Sequence, residues 1–124
     1  MSKRTILVVD DDPDVIKILK MILAKDYQVL FAFDGNDAIT LVAQHQIDLI
    51  ITDINMPKAD GVTLTKHIAE HAPQIKCVVM TGDANKKPHL LAARFFGAAD
   101  VLPKPFDVED VLAVVMKLIG NAHH

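Results

Sequence analysis

The sequence predicts a doubly wound α/β domain, in which five parallel strands form one sheet and five helices cover both of its faces. Two observations carry this prediction. First, short apolar runs stop at polar residues four times: Val8-Val9 at Asp10-Asp11, Ile50-Ile51-Thr52 at Asp53, Val79-Met80 at Thr81, and Val101-Leu102-Pro103 at Lys104. Such runs are rich in β-branched residues and lack the alternation of a half-exposed strand, as expected of strands buried on both faces. Second, a helical pattern lies between each run and the next, joined by short connections. That alternation implies parallel strands with right-handed crossovers, in three layers.

The elements follow in order. Strands are expected at 6–9, 29–33, 49–51, 77–80 and 101–102. The first helix opens at Pro13 with Asp12 as its N-cap, and Val15, Ile18, Leu19 and Ile22 form its apolar stripe. A second runs from about 36 to 44 after the turn at Asp34-Gly35, with Ala38, Ile39, Val42 and Ala43 facing inward. Leu64, Ile68 and Ala72 outline a third, closed by Pro73. A fourth covers 90–96 and stops at Gly97, and a fifth covers 108–119 and stops at Gly120.

At 124 residues, with 51% hydrophobic and 23% charged residues, the chain is read as one domain over 1–124, beyond which an output domain could follow. A net charge of −3 gives no reason to expect nucleic-acid binding or attachment to a membrane surface. The single cysteine, Cys77, lies within an apolar run and is expected to be a small core residue, consistent with a reducing cytoplasm. No stretch reaches membrane-spanning length, and the N-terminus carries no signal-like segment, so a soluble, cytoplasmic protein is expected. His123 and His124 are tag-like and carry no functional weight.

In open α/β sheets, ligands bind beyond the carboxyl ends of the strands, where the four polar stops would converge. Asp10, Asp11 and Asp53 would then sit together, and like charges about 4 Å apart repel by roughly 4 kcal/mol at an effective dielectric near 20. Including Lys104, the group carries a net −2, which a divalent cation balances. The donors offer oxygen and include no Cys or His, which favours Mg²⁺ over zinc. Beside a metal, Asp53 can act as a nucleophile on phosphorus, with the Lys104 ammonium and the Thr81 hydroxyl placed to meet phosphoryl oxygens. Taken singly, each residue also has a plainer reading: a cap or solvated loop for the aspartates, a turn residue for Thr81, a surface lysine for Lys104.

Asp10-Asp11, Asp53 with Met56-Pro57 and Asp60-Gly61, Thr81-Gly82, and Lys104-Pro105-Phe106 together resemble the receiver domain of two-component response regulators, a flavodoxin-like fold, from about residue 5 to residue 119. The resemblance implies that Asp53 is the phosphoacceptor, receiving phosphate from a histidine kinase or a histidine phosphotransfer protein. It implies a Mg²⁺ site in which Asp11 is a direct ligand, Asp10 acts through water and Asn55 offers its carbonyl. Thr81 takes the place of the switch hydroxyl and Lys104 that of its salt-bridging partner, with a cis bond before Pro105. Asn55 and Asp83 occupy positions that set the hydrolysis rate. Val101 stands where the family often has a Tyr or Phe that rotates inward, so the usual aromatic readout is absent. Output or homodimerisation would use the predicted fourth helix, fifth strand and fifth helix, a face made apolar by Leu90, Leu91, Phe95 and Phe96. Such a domain phosphorylates itself and slowly dephosphorylates itself without being a turnover enzyme.

Two other classes compete. A phosphatase of similar fold would also use Asp53 as nucleophile, but its general acid would fall at Asn55, which cannot serve. A phosphate-independent interaction module would need no chemistry at all. His67-Ile68-Ala69-Glu70-His71 matches an inverted zinc-protease pattern, yet no distal ligand motif accompanies it, and a solvated helix face is the plainer reading.

Overall fold

The structure, a computed structural model, describes residues 3–54, 61–82 and 97–120. In chain order these form β1 (Thr5–Val9), α1 (Pro13–Leu23), β2 (Gln28–Ala32), α2 (Gly35–Gln44), β3 (Leu49–Asp53), α3 (Gly61–His71), β4 (Lys76–Thr81), β5 (Asp100–Pro103) and α4 (Val108–Ile119). The fourth predicted helix lies outside the described residues, so α4 is the fifth of the sequence reading. The five strands form one parallel sheet in the order β2-β1-β3-β4-β5. Among the described residues, no helix is long and apolar enough to cross a membrane.

Alternate strand residues feed two cores. Ile6, Val8, Leu49, Ile51, Val78 and Met80 face α1 and α4, while Leu7, Val9, Ile50 and Cys77 face α2 and α3. Both faces of β1 are therefore buried, which accounts for its unbroken apolar run. Burial pushes the Cys77 thiol up to about 12, so it stays protonated at neutral pH and serves as a core residue.

Local signals place the helix starts. The Asp14 N–H donates to Asp12 Oδ1 at 2.9 Å, which makes Asp12 the N-cap of α1 ahead of Pro13. The Asp37 N–H donates to Asp34 Oδ1 at 2.8 Å, so α2 begins at Gly35, one residue before the expected start. At α4, Asp107 and Asp110 each accept the other's backbone N–H, closing a capping box.

The face of α1 differs from the expectation. Ile16, Leu19 and Leu23 are buried, Val15 and Ile22 pack at the margin, and Ile18 is 49% exposed. Two adjacent rows of this helix are apolar, and periodicity alone does not say which row the sheet takes. On α2 the stripe is shorter than expected: Ala38 is buried, Ile39 and Val42 pack against the core, and Ala43 is exposed. Leu19→Ala is accordingly expected to destabilise the domain by about 2–5 kcal/mol. Ile18→Ala should change stability by no more than about 0.5 kcal/mol. Urea unfolding of the two variants tests this assignment.

Candidate functional site

The strand register brings the polar stops to one end of the sheet. Val9 pairs with Thr52, Thr52 with Val79, and Val79 with Val101. One step further along lie Asp10 and Asp53, then Thr81 level with Pro103, then Lys104. Asp53 is the last residue of β3 rather than the first of the following loop. Its backbone is held by fully buried Thr52, whose hydroxyl donates to the Asp53 carbonyl at 3.0 Å, and by the Ile54 N–H donating to the Met80 carbonyl at 3.0 Å. In the sequence Thr52 reads as one more member of an apolar run; its position immediately before the aspartate is the available signal.

Asp10, Asp11 and Asp53 each offer a carboxylate oxygen, and these oxygens lie within 4.8 Å of one another. Among the described residues this is the one group of three or more convergent acidic, His or Cys ligands. The three differ in setting: Asp10 is 1% exposed, Asp53 half-buried and Asp11 exposed. Asp10 has both oxygens engaged, Oδ1 by the Asp12 N–H at 2.9 Å and Oδ2 by Lys104 Nζ at 2.8 Å. Lys104 Nζ also stands 3.7 Å from Asp53 Oδ1, so one ammonium spans the buried and the half-buried carboxylate. That bridge offsets part of the repulsion among the acids at this strand end. The sequence places Lys104 opposite a phosphoryl group but carries no sign of its resting partner, Asp10, because that pair joins residues 94 apart in the chain.

Thr81 is buried, and its carbonyl accepts the Lys104 N–H at 2.7 Å, tying the ends of β4 and β5 together. The Lys104-Pro105 peptide is cis, as the resemblance implied. Val101 is half-buried and packs with Ala98 against Ile54 and Val79. Asn55, Met56, Pro57, Asp60, Asp83, Leu90, Leu91, Phe95, Phe96, His123 and His124 lie outside the described residues. Hard oxygen donors, a lysine and a hydroxyl at one strand end suit a divalent cation together with a phosphoryl group.

The Response regulator receiver domain family matches residues 6–116. The chain is similar to the DNA-binding transcriptional regulator NtrC of Proteus hauseri, with 33% identity over 98% of this chain and 26% of that protein. It spans between 26% and 50% of the length of the first curated relatives it matches. The signal receiver domain of an HD domain-containing protein from Pseudomonas fluorescens Pf-5 has the same fold, with a TM-score of 0.89 and 28% identity, covering 96% of this chain and 88% of that one. The Saccharomyces cerevisiae receiver domain of Ssk1, crystallised with the histidine phosphotransfer signaling protein Ypd1, shares the fold at a TM-score of 0.86 and 22% identity, covering 94% of this chain and 89% of that one. The chain belongs to the response regulator receiver domain family, the phosphoacceptor switches of two-component signalling.

Proposed function

We propose that Asp53 is the phosphoacceptor, that Asp10, Asp11, Asp53 and the Asn55 carbonyl hold Mg²⁺, and that Thr81 and Lys104 read the phosphoryl group. The observation that carries this reading is Lys104 Nζ, 2.8 Å from Asp10 and 3.7 Å from Asp53, beside three convergent carboxylates. The donor set fits Mg²⁺, since it is all oxygen and retains a net negative charge. When bound, Mg²⁺ supplies neutralisation of the transferring phosphoryl oxygens.

The residues divide the work. A carboxylate oxygen of Asp53 attacks phosphorus, the P–N bond of a phosphohistidine donor breaks, and the imidazole leaves to give an acyl phosphate. Lys104 then exchanges Asp10 for a phosphoryl oxygen, and the Thr81 hydroxyl donates to another. Both contacts exist only in the modified state, which is the condition for shifting a two-state equilibrium. The Lys104 N–H bond to the Thr81 carbonyl makes the two responses one backbone movement. With Val101 already packed on Ile54 and Val79, the output passes through the β4 and β5 ends without an inward-turning aromatic. Asn55 and Asp83 tune the hydrolysis rate.

The donor is a histidine kinase or a histidine phosphotransfer protein. Exposed Ile18, Met21 and Val108 with Phe106 form an apolar groove beside α1, which favours a macromolecular donor. Output or self-association through the predicted fourth helix, β5 and α4 belongs to the same proposal, as does a cytoplasmic location.

Incubation with a small phosphodonor and Mg²⁺ tests the reading by intact mass. One phosphoryl adduct, labile in acid and in base and dependent on Mg²⁺, is expected. Sustained turnover of unrelated phosphoesters would point instead to a phosphatase, and absence of any adduct to a phosphate-independent module.

A further inference from the structure

The two histidines of α3 play no part in the site above, and they stand at the other end of the strand–helix unit that carries Asp53. His67 and His71 are four residues apart, on adjacent turns of one helix flank. Their ring centroids are 4.4 Å apart with planes inclined at 40°. Neither ring makes a hydrogen bond or an ion pair with a described residue, and His71 is exposed while His67 is half-buried. Leu64 and Ile68 hold the helix to the core on its other side, so the backbone beneath the pair is fixed.

We propose that His67 and His71 form a two-nitrogen chelate for a borderline divalent transition ion such as Zn²⁺, Ni²⁺ or Cu²⁺, distinct from the acidic cluster. Histidines spaced i and i+4 on a helix present their rings to one point, the geometry by which such pairs hold zinc. Metal–nitrogen bonds of about 2.0–2.1 Å require the two ligating nitrogens to lie roughly 3 Å apart, a separation that rings with centroids 4.4 Å apart reach by rotation about their side-chain bonds. Imidazole nitrogen selects these ions over Mg²⁺, so Mg²⁺ does not compete for the chelate. Glu70 is exposed and does not converge with the pair, because the one convergent group of three or more ligands among the described residues is the aspartate cluster. Water completes the coordination, leaving open positions. The site spans the last two turns of α3, with His71 in the last, where a cation also meets the negative end of the helix dipole. Binding there clips that turn and stabilises the folded domain.

Titration of the full chain with Ni²⁺ in a large excess of Mg²⁺, followed by calorimetry and by histidine ring NMR, tests the proposal. The expected result is saturable binding that shifts the His67 and His71 ring signals together. His67→Gln and His71→Gln should each weaken it at least tenfold, since losing even an outer partner of a metal site typically costs about 10–100-fold. Circular dichroism and metal-free thermal unfolding should be unchanged in both variants. Labelling of Asp53 by a phosphodonor should also be unchanged, so the chelate and the phosphoacceptor reading can fail separately. Binding that survives both substitutions would place the metal on the aspartate cluster or on His45, His89, His123 or His124 and overturn the proposal. Loss in only one of the two variants, or no saturable binding in the unmodified chain, would overturn it equally.

Discussion

Asp53→Asn is expected to abolish phosphoryl incorporation and to leave the fold intact, with stability equal to or above that of the unmodified domain when no divalent ion is present. The amide is a poor nucleophile and cannot yield the acyl phosphate, so the loss of labelling should be complete. The stability effect follows from charge. Asp53 sits among carboxylates whose oxygens lie within 4.8 Å of its own, and Lys104 is closer to Asp10 than to Asp53. Removing one negative charge relieves repulsion while leaving the 2.8 Å pair in place. Thr52 and Ile54 hold the backbone at this position through bonds the substitution does not touch. Mg²⁺ should therefore raise the melting temperature of the variant less than that of the unmodified chain. Intact-mass analysis and thermal unfolding with and without Mg²⁺ check both halves.

Lys104→Ala should produce the largest loss of stability at the site. Removing one partner of a fully buried pair typically costs about 3–5 kcal/mol because the other charge is left uncompensated. Asp10 is 1% exposed, but the Lys104 side chain is 23% exposed and the site opens to solvent, so a smaller loss of roughly 2–3 kcal/mol is expected. Asp10 keeps its bond from the Asp12 N–H, which limits the effect further. Saturating Mg²⁺ should recover a large part of the loss by supplying the missing positive charge. Urea unfolding in the presence and absence of Mg²⁺ measures this. A loss that Mg²⁺ left untouched would mean that Lys104 acts through packing alone. Labelling of Asp53 should persist in this variant, whereas the conformational response to it should be weakened, because Lys104 contacts the phosphoryl group after transfer.

The sheet and the convergence of Asp10, Asp11, Asp53 and Lys104 were legible because buried parallel strands leave few places for polar residues. A carboxylate, hydroxyl or ammonium directly after such a run has to sit at a strand end, and parallel strands put those ends together. Asp12 was equally legible in kind, since a short acidic side chain before a helical pattern caps it, whereas Asp34, which reads as part of a turn, caps α2 as well. Other features were not. Val15 and Ile18 lie on one apolar row of α1 and Ile16 and Leu23 on the next, and only the sheet beneath decides which is buried. The Lys104–Asp10 pair depends on β1 and β5 reaching the same level from opposite sides of β3 and β4, a tertiary fact with no local signature. Thr52 was hidden by its company: one hydroxyl among isoleucines reads as strand, and its bond to the Asp53 carbonyl emerges only in three dimensions.

The most direct test of the central claim is to locate the phosphoryl group on the chain. Reduction of the phosphorylated protein with borohydride converts an aspartyl phosphate to homoserine, and peptide sequencing by mass spectrometry then reads the position. The account predicts conversion at Asp53 alone, only after treatment with a phosphodonor and Mg²⁺. Conversion at Asp10 or Asp11, or an adduct with no converted aspartate, would contradict it.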